Sequence, residues 1–255
     1  MSIGSGTERR ALVVEDDDDI RALIEYTLAT QGFLVTAVDS GAAALEAVAL
    51  DDPDLITLDL GLPGMDGIET CRRLRAITDA YVVMITARND PIDRLIGLET
   101  GADDFIAKPF DAHELKARVN AMFRRPRRLA DGPADAPVPP SSPPSSPSSH
   151  EVLQHGVLRV DVDGRRAFKD SQELSLTRTE FDLLTEMMRS PARVWSRETL
   201  LRSVWGTEWA SDTHLVEVHV ANLRRKLGEN KAAKYVRTVR GVGYRMESPE
   251  GHPSG

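Results

Sequence analysis

DLITLDLGLPGMDG, residues 54–67, opens with an apolar run that stops at an acid, Asp59. Leu, Ile, Thr and Leu follow one another without polar alternation, the pattern of a strand buried on both faces. Four other runs share this character: ALVVE (11–15), FLVTAV (33–38), YVVMIT (81–86) and DFIAK (104–108). Amphipathic stretches near 19–31, 41–50, 67–77, 91–100 and 111–124 alternate with them. Five β-α units predict an α/β domain, a doubly wound five-stranded parallel sheet with helices on both sides. Function in such a domain sits at the carboxyl ends of the strands.

The residues at those ends carry chemistry. Glu15 and Asp16 close the first strand, Asp59 the third and Thr86 the fourth; Lys108 closes the fifth and precedes Pro109. Three carboxylates in one cleft repel each other and attract a hard divalent cation, and Mg²⁺ takes oxygen ligands while keeping several waters. Asp59 is then placed as a nucleophile toward phosphorus, with the metal and Lys108 neutralising charge and the Thr86 hydroxyl offering a hydrogen bond. Asp17 and Asp18 are expected to face solvent at a helix start, which their charge favours. Cys71 is read as a small buried residue on a helix.

The chain has 255 residues, enough for two domains. No apolar run is long enough to span a bilayer and the first ten residues lack a signal-type apolar stretch, so a cytoplasmic location without membrane partners is expected. One cysteine excludes an intramolecular disulfide. The net charge of −8 is unevenly spread: residues 1–125 carry −10, and residues 213–245 carry +6. An acidic front and a local basic stripe imply two different tasks. Between them, prolines and serines fill 13 of the 17 positions 133–149. Such a segment cannot bury enough surface to offset its ordering entropy. The expected organisation is therefore a tail at 1–9, a domain at 10–125, a flexible linker at 126–150, a second domain at 151–247 and a tail at 248–255. A linker of this kind argues against a rigid latch between the domains; it also has the composition of a ligand for a Pro-binding domain.

The back half reads as short antiparallel strands, GVLRVDVDGRRAFKD and QELSL, turning at Asp163-Gly164. Thr177-Arg178-Thr179-Glu180 is a capping box opening a helix to about Arg189, and Ser196 caps a second through Trp205. A third helix runs from about Thr213 to Leu227, stopped by Gly228. YVRTV and YRM then flank a glycine-bearing turn at 240–243. Three helices closed by a hairpin predict an α+β winged helix-turn-helix domain. In THLVEVHVANLRRKL (213–227), Leu215, Val218, Leu223 and Leu227 supply an inward face. His214, Glu217, Ala221, Asn222, Arg224 and Arg225 look outward, into the major groove of double-stranded DNA.

VVEDD, LDLGLPGMDG, MITAR and ADDFIAKPF, in this order over about 10–124, resemble the receiver domain of two-component response regulators. The resemblance implies a flavodoxin-like fold in which Asp59 accepts a phosphoryl group from a sensor histidine kinase. Asp16, Asp59 and the Gly61 carbonyl would bind Mg²⁺, Glu15 would act through water, and the Ala87 N–H would help hold the phosphoryl group. The peptide bond between Lys108 and Pro109 is expected to be cis. Thr86 and Phe105 would form the switch pair, with Phe105 filling the space Thr86 leaves. Arg94 with Glu114, and Asp104 with Arg118, match intersubunit ion pairs of the OmpR/PhoB subfamily, implying a homodimer on phosphorylation. VEVHVANLRRKL with YVRTVRGVGYR resembles the recognition helix and wing of that subfamily's effector domains, over about 153–246. Asn222 then faces a base, while His214, Arg224, Thr238 and Arg240 hold phosphates; His219 packs or caps the helix. The loop 206–212 with Trp209 matches a segment that touches RNA polymerase in activators, or is simply a loop packed on its tryptophan.

The expected function is a phosphorylation-dependent transcriptional regulator that binds promoter DNA, not a turnover enzyme. Two other readings compete. A dehalogenase-like phosphatase needs a second acid two positions after its nucleophile, where this chain has Gly61. A DNA-binding regulator that works without phosphorylation would not need the full acidic pocket.

Overall fold

The computed structural model describes residues 8–87, 91–123, 151–206, 213–231 and 233–248, with the side chains of 91–94 set aside. The N-terminal domain alternates β1 (Arg9–Val14), α1 (Asp18–Ala29), β2 (Phe33–Val38), α2 (Gly41–Leu50), β3 (Leu55–Asp59), α3 (Gly67–Leu74), β4 (Tyr81–Thr86), α4 (Pro91–Thr100), β5 (Asp104–Ala107) and α5 (Ala112–Met122). All five strands pair in parallel, in the order β2-β1-β3-β4-β5. This is the flavodoxin-like order, and its reversal between β1 and β3 opens a crevice where Asp16 and Asp59 emerge side by side. β1 starts two residues before its apolar run. Arg9 pairs with Phe33, and its guanidinium lies 4.8 Å from the centre of the Phe123 ring.

Short polar side chains start the helices. Asp17 accepts from the N–H groups of Asp19 and Ile20, Asp66 from Glu69 and Asp111 from Glu114. Each satisfies donors that the first turn leaves open, at about 1 kcal/mol apiece. Apolar side chains fill both faces of the sheet. Ala11, Val13, Leu28, Ile106 and Leu115 pack on one side; Leu12, Leu58, Met84, Leu98 and Phe105 pack on the other.

The C-terminal domain opens with an antiparallel sheet of β6 (Val152–His155), β7 (Leu158–Asp161), β8 (Arg166–Lys169) and β9 (Gln172–Glu173). Then come α6 (Arg178–Arg189), β10 (Trp195–Ser196), α7 (Arg197–Trp205), α8 (His214–Lys226) and the hairpin β11 (Val236–Val239) and β12 (Gly243–Met246). The capping box at Thr177 and Glu180 is formed as expected. β10 joins the hairpin as a third strand through Trp195–Tyr244 and Ser196–Gly243. A Cβ on Gly243 would lie 1.9 Å from the Trp195 carbonyl oxygen, so only glycine lets these strands meet. Val216, Val220, Leu223 and Leu227 form the inner stripe of α8 and are fully buried.

The two domains are packed together, which the linker composition argued against. The apolar cluster around Leu98 and Phe105 continues without a break into Trp205, Val218 and Tyr244. Hydrogen bonds cross the seam. Tyr81 Oη donates to Asp182 Oδ2 at 2.8 Å, and Trp205 Nε1 to the Asp103 carbonyl at 3.0 Å. Asn222 Nδ2 donates to the Leu98 carbonyl at 3.1 Å, and the Thr179 N–H to Asp103 Oδ1 at 3.3 Å. A linker's composition fixes its stiffness and reach, not whether the faces it joins are complementary. The linker 126–150 and residues 1–7 and 249–255 of the tails lie outside the described residues; Arg9, expected in the tail, opens β1 because it pairs with Phe33 of β2.

Candidate functional site

The strand ends bring the expected residues together. Lys108 Nζ donates to Glu15 Oε1 and to Asp59 Oδ2, each at 2.8 Å. Asp59 Oδ1 accepts from the Gly61 N–H at 3.0 Å. Glu15 and Asp59 are buried, while Asp16 is exposed at the mouth. Burial pushes the Glu15 carboxyl up to about 7, against the hydrogen bond from Lys108. Burial also works against the Lys108 ammonium, but its bonds to Asp59 and Glu15 prevail and raise its pKa. Thr86 is buried at the end of β4, beside Ala107 of β5; Ala87 is exposed beyond it. Phe105 is buried one strand over. The bond between Lys108 and Pro109 is cis, as the resemblance implied.

A carboxylate oxygen from each of Glu15, Asp16 and Asp59 lies within 4.8 Å of the others. Glu15 Oε2 is buried and has no hydrogen-bond partner among the described residues. An all-oxygen acidic set with one orphaned oxygen fits a hard divalent cation such as Mg²⁺. Sequence reasoning missed Arg21. Its Nη1 donates to the Glu15 carbonyl at 2.9 Å and to the Asp16 carbonyl at 3.3 Å, tying the acidic loop to α1.

Gly67 sets the depth of α3 against the end of β3. A Cβ there would lie 2.2 Å from the Asp59 carbonyl oxygen and 2.6 Å from the Leu60 Cα, both backbone. Gly67→Ala is therefore expected to push the start of α3 away and to destabilise the chain by about 1–3 kcal/mol. A chemical denaturation midpoint equal to that of the wild type would show that the helix accommodates the methyl group.

The second constellation lies on α8 and the hairpin. His214 is exposed, with Nδ1 3.3 Å from Glu217 Oε2. Thr238 and Arg240 are exposed on the wing. Arg224 reaches back to the wing, with Nη2 2.7 Å from both the Val236 carbonyl and Thr238 Oγ1. Asn222, read from sequence as outward-facing, is only 3% exposed. Its amide bonds Leu98 of α4, and its Oδ1 accepts from Arg225 at 3.0 Å. Val218, read as facing the domain's own core, also turns to this seam: it lines, with Leu95, Glu99 and Asn222, a cleft of about 280 Å³ between α4 and α8. Of the face expected to read DNA, Asn222 is covered by the N-terminal domain, while His214, Ala221 and Arg225 stay exposed around the cleft. His219 is buried against Trp205, in keeping with a packing residue. Trp209 lies outside the described residues.

Three of the residues expected to pair across a dimer, Asp104, Glu114 and Arg118, also meet within the single chain. Arg118 Nη1 bonds both carboxylate oxygens of Asp104 at 3.0 Å, and Nη2 bonds Glu114 at 3.0 Å. Asp104 is buried and its carboxyl is raised by that burial, against the pull of Arg118. The side chain of Arg94 lies outside the described residues. Cys71 is buried, and burial lifts its thiol to about 11, which keeps it protonated and unreactive.

Comparison with known proteins agrees with the two domains. Residues 11–120 match the response regulator receiver domain, and residues 171–246 match the C-terminal domain of transcriptional regulatory proteins. The transcriptional regulatory protein CseB of Streptomyces coelicolor is 40% identical over 241 residues, covering 94% of this chain and 99% of its own. The DNA-binding response regulator MtrA of Mycolicibacterium smegmatis is 41% identical over 242 residues, covering 94% and 98%. A solved structure of a RitR mutant superposes with a TM-score of 0.71 at 30% identity, over 94% of this chain and 99% of that one. With a receiver fold ending in an acidic pocket, a winged helix behind it and relatives matched along nearly their whole length, the chain belongs to the OmpR/PhoB family of DNA-binding response regulators.

Proposed function

We propose that this regulator is switched by phosphorylation of Asp59, and that the switch works by releasing α8 from α4. The observation that carries the reading is the position of Asn222. The helix that would enter DNA is held on the domain that carries the phosphoacceptor.

Asp59 attacks the phosphorus of a phosphohistidine on the sensor kinase. The P–N bond breaks, the imidazole leaves, and an acyl phosphate forms on the carboxylate. Lys108 holds Asp59 Oδ2 and balances charge on the incoming group, while the Gly61 N–H holds Oδ1. Glu15, Asp16, Asp59 and the Gly61 carbonyl would hold Mg²⁺, which when bound neutralises charge developing on the phosphoryl oxygens. The added charge of about −1.5 to −2 draws the Thr86 hydroxyl and the Ala87 N–H toward Asp59. Phe105 follows into the space behind Thr86 and disturbs the β5 and α4 surface on which α8 rests. The receiver acts on its own phosphate and turns over no separate substrate.

Dimerisation fits the same geometry. α4 already carries α8, and the end of α5 meets the end of α7, where Ala121 Cβ lies 2.8 Å from the position a Cβ on Gly206 would take. A dimer through α4, β5 and α5, paired by Arg94, Asp104, Glu114 and Arg118, competes with the closed packing. Two released effector domains are then held near tandem half-sites, where Asn222 reads a base and His214, Arg224, Thr238 and Arg240 hold phosphates. RNA polymerase is the further partner if the loop with Trp209 is an activating surface. No helix among the described residues is long and apolar enough to cross a membrane.

The test is selection of duplex DNA fragments by the full chain with Mg²⁺, with and without beryllium fluoride as a phosphoryl mimic. Enrichment of a paired-site motif only in the beryllium fluoride arm is expected. Equal enrichment in both arms means that the acidic pocket does not gate the helix.

A further inference from the structure

His219 is buried at the seam between the domains. It is 1% exposed, and neither ring nitrogen has a hydrogen-bond partner among the described residues. It shares a helix face with Leu215, Val218 and Asn222, the last of which donates across the seam to Leu98. Its ring centre lies 5.2 Å from that of Trp205, whose indole N–H donates across the seam to the Asp103 carbonyl. The wall around the imidazole is therefore built jointly by both domains.

We infer that the closed packing is acid-labile, with His219 as the group whose protonation favours separation of α8 from the receiver. An imidazolium at this position would be a buried charge with no hydrogen-bonded side-chain partner; the Asp103 backbone carbonyl beside it favours the charge but already accepts from Trp205. Three carboxylates face it: Asp103 and Asp104 from the receiver and Glu180 from α6. Each already holds a cation: Asp103 binds Arg75 at 2.5 Å, Asp104 binds Arg118 at 3.0 Å and Glu180 binds Lys226 at 2.6 Å. Burial consequently outweighs their attraction and lowers the affinity of His219 for a proton. On α8 itself, His214 and Glu217 pair at the partly open rim of the cleft, with Glu99 of α4 exposed opposite them.

Opening the seam wets the ring and removes the receiver half of its wall. In the open form His219 titrates near the ordinary histidine value of about 6.5. The closed form is the one with the depressed pKa. Its advantage is complete above about pH 6.5 and is lost as pH falls below that value, because only the open form takes up the proton. The open-to-closed ratio then rises up to about tenfold per pH unit until the closed-form pKa is reached. Asp104 has the opposite sign, since uncovering it lowers its raised pKa, so acid acting through Asp104 would hold the domains together.

This inference rests on the closed packing and not on phosphorylation of Asp59, so the test omits Mg²⁺ and any phosphoryl donor. Small-angle scattering gives the radius of gyration of the full chain between about pH 8 and about pH 5.5, the range in which histidine changes charge. The wild type is expected to expand on acidification. His219→Gln, which cannot titrate, and His219→Phe, which keeps a ring against Trp205, are expected to keep a radius that does not grow with acid. A wild-type radius that stays constant or falls overturns the inference, as does an acid expansion retained in either folded variant. Failure of the DNA selection with an intact acid response would count against the phosphorylation switch alone.

Discussion

Asp59→Asn is expected to take up no phosphoryl group. The wild type incubated with acetyl phosphate and Mg²⁺ is expected to gain one phosphate per chain by intact mass, and the variant none. Asparagine is nearly the same size but lacks the anionic oxygen that attacks phosphorus. It still accepts from Lys108 through its amide oxygen, so Lys108 keeps Glu15 and the pocket is not left with an unpaired buried cation. Folding is therefore expected to survive while chemistry is lost. Phosphate on the variant would move the acceptor away from Asp59 and overturn the mechanism. Beryllium fluoride supplies a second measurement, since it should saturate the wild type and leave Asp59→Asn in its closed scattering profile.

Asp103→Ala is expected to cost about 3–5 kcal/mol, the usual consequence of removing one partner of a buried ion pair. Asp103 is fully buried and serves both domains. Its Oδ2 holds Arg75 at 2.5 Å and the Val82 N–H at 2.8 Å; its Oδ1 accepts from Thr179 at the start of α6. Alanine leaves the Arg75 guanidinium, 11% exposed, without its carboxylate and removes one bond across the seam. Denaturant titration is expected to show the loss, and scattering at neutral pH to show a larger radius than the wild type. Unchanged stability would mean that Arg75 is held well enough by the Gly101 and Ala80 carbonyls alone. Asn222→Ala provides the contrast: it removes one seam hydrogen bond, worth about 1 kcal/mol, and leaves the receiver core intact.

The acidic pocket was legible because each part is local. A strand buried on both faces announces itself by an unbroken apolar run, and the residue that ends it is fixed by that run. Glu15, Asp59, Thr86 and Lys108 could be placed at strand ends one at a time, and parallel pairing then brings the ends together. The winged helix was legible for a similar reason, through the cap at Thr177, the stop at Gly228 and the glycine-bearing turn of the wing. β10 was not, because two residues carry no periodicity, and Trp195–Ser196 becomes a strand only when Gly243 lets β12 approach. Arg21 was missed for want of any pattern, since its role depends on where two backbone carbonyls point.

By itself, the sequence determined the two folds, their order along the chain and the chemistry gathered at the carboxyl ends of the first sheet. Each follows from local propensity and hydrophobic period, which short windows of residues contain. The tertiary structure alone decided that the domains pack, that Asn222 and His219 are covered, and that Asp104 and Arg118 pair within one protomer. These outcomes depend on complementary faces assembled from Tyr81, Leu98, Asp103, Asp182, Trp205 and Asn222, residues far apart in sequence. A side chain's outward turn on a helix gives its direction from the axis, and only the packed structure shows whether water or another domain waits there.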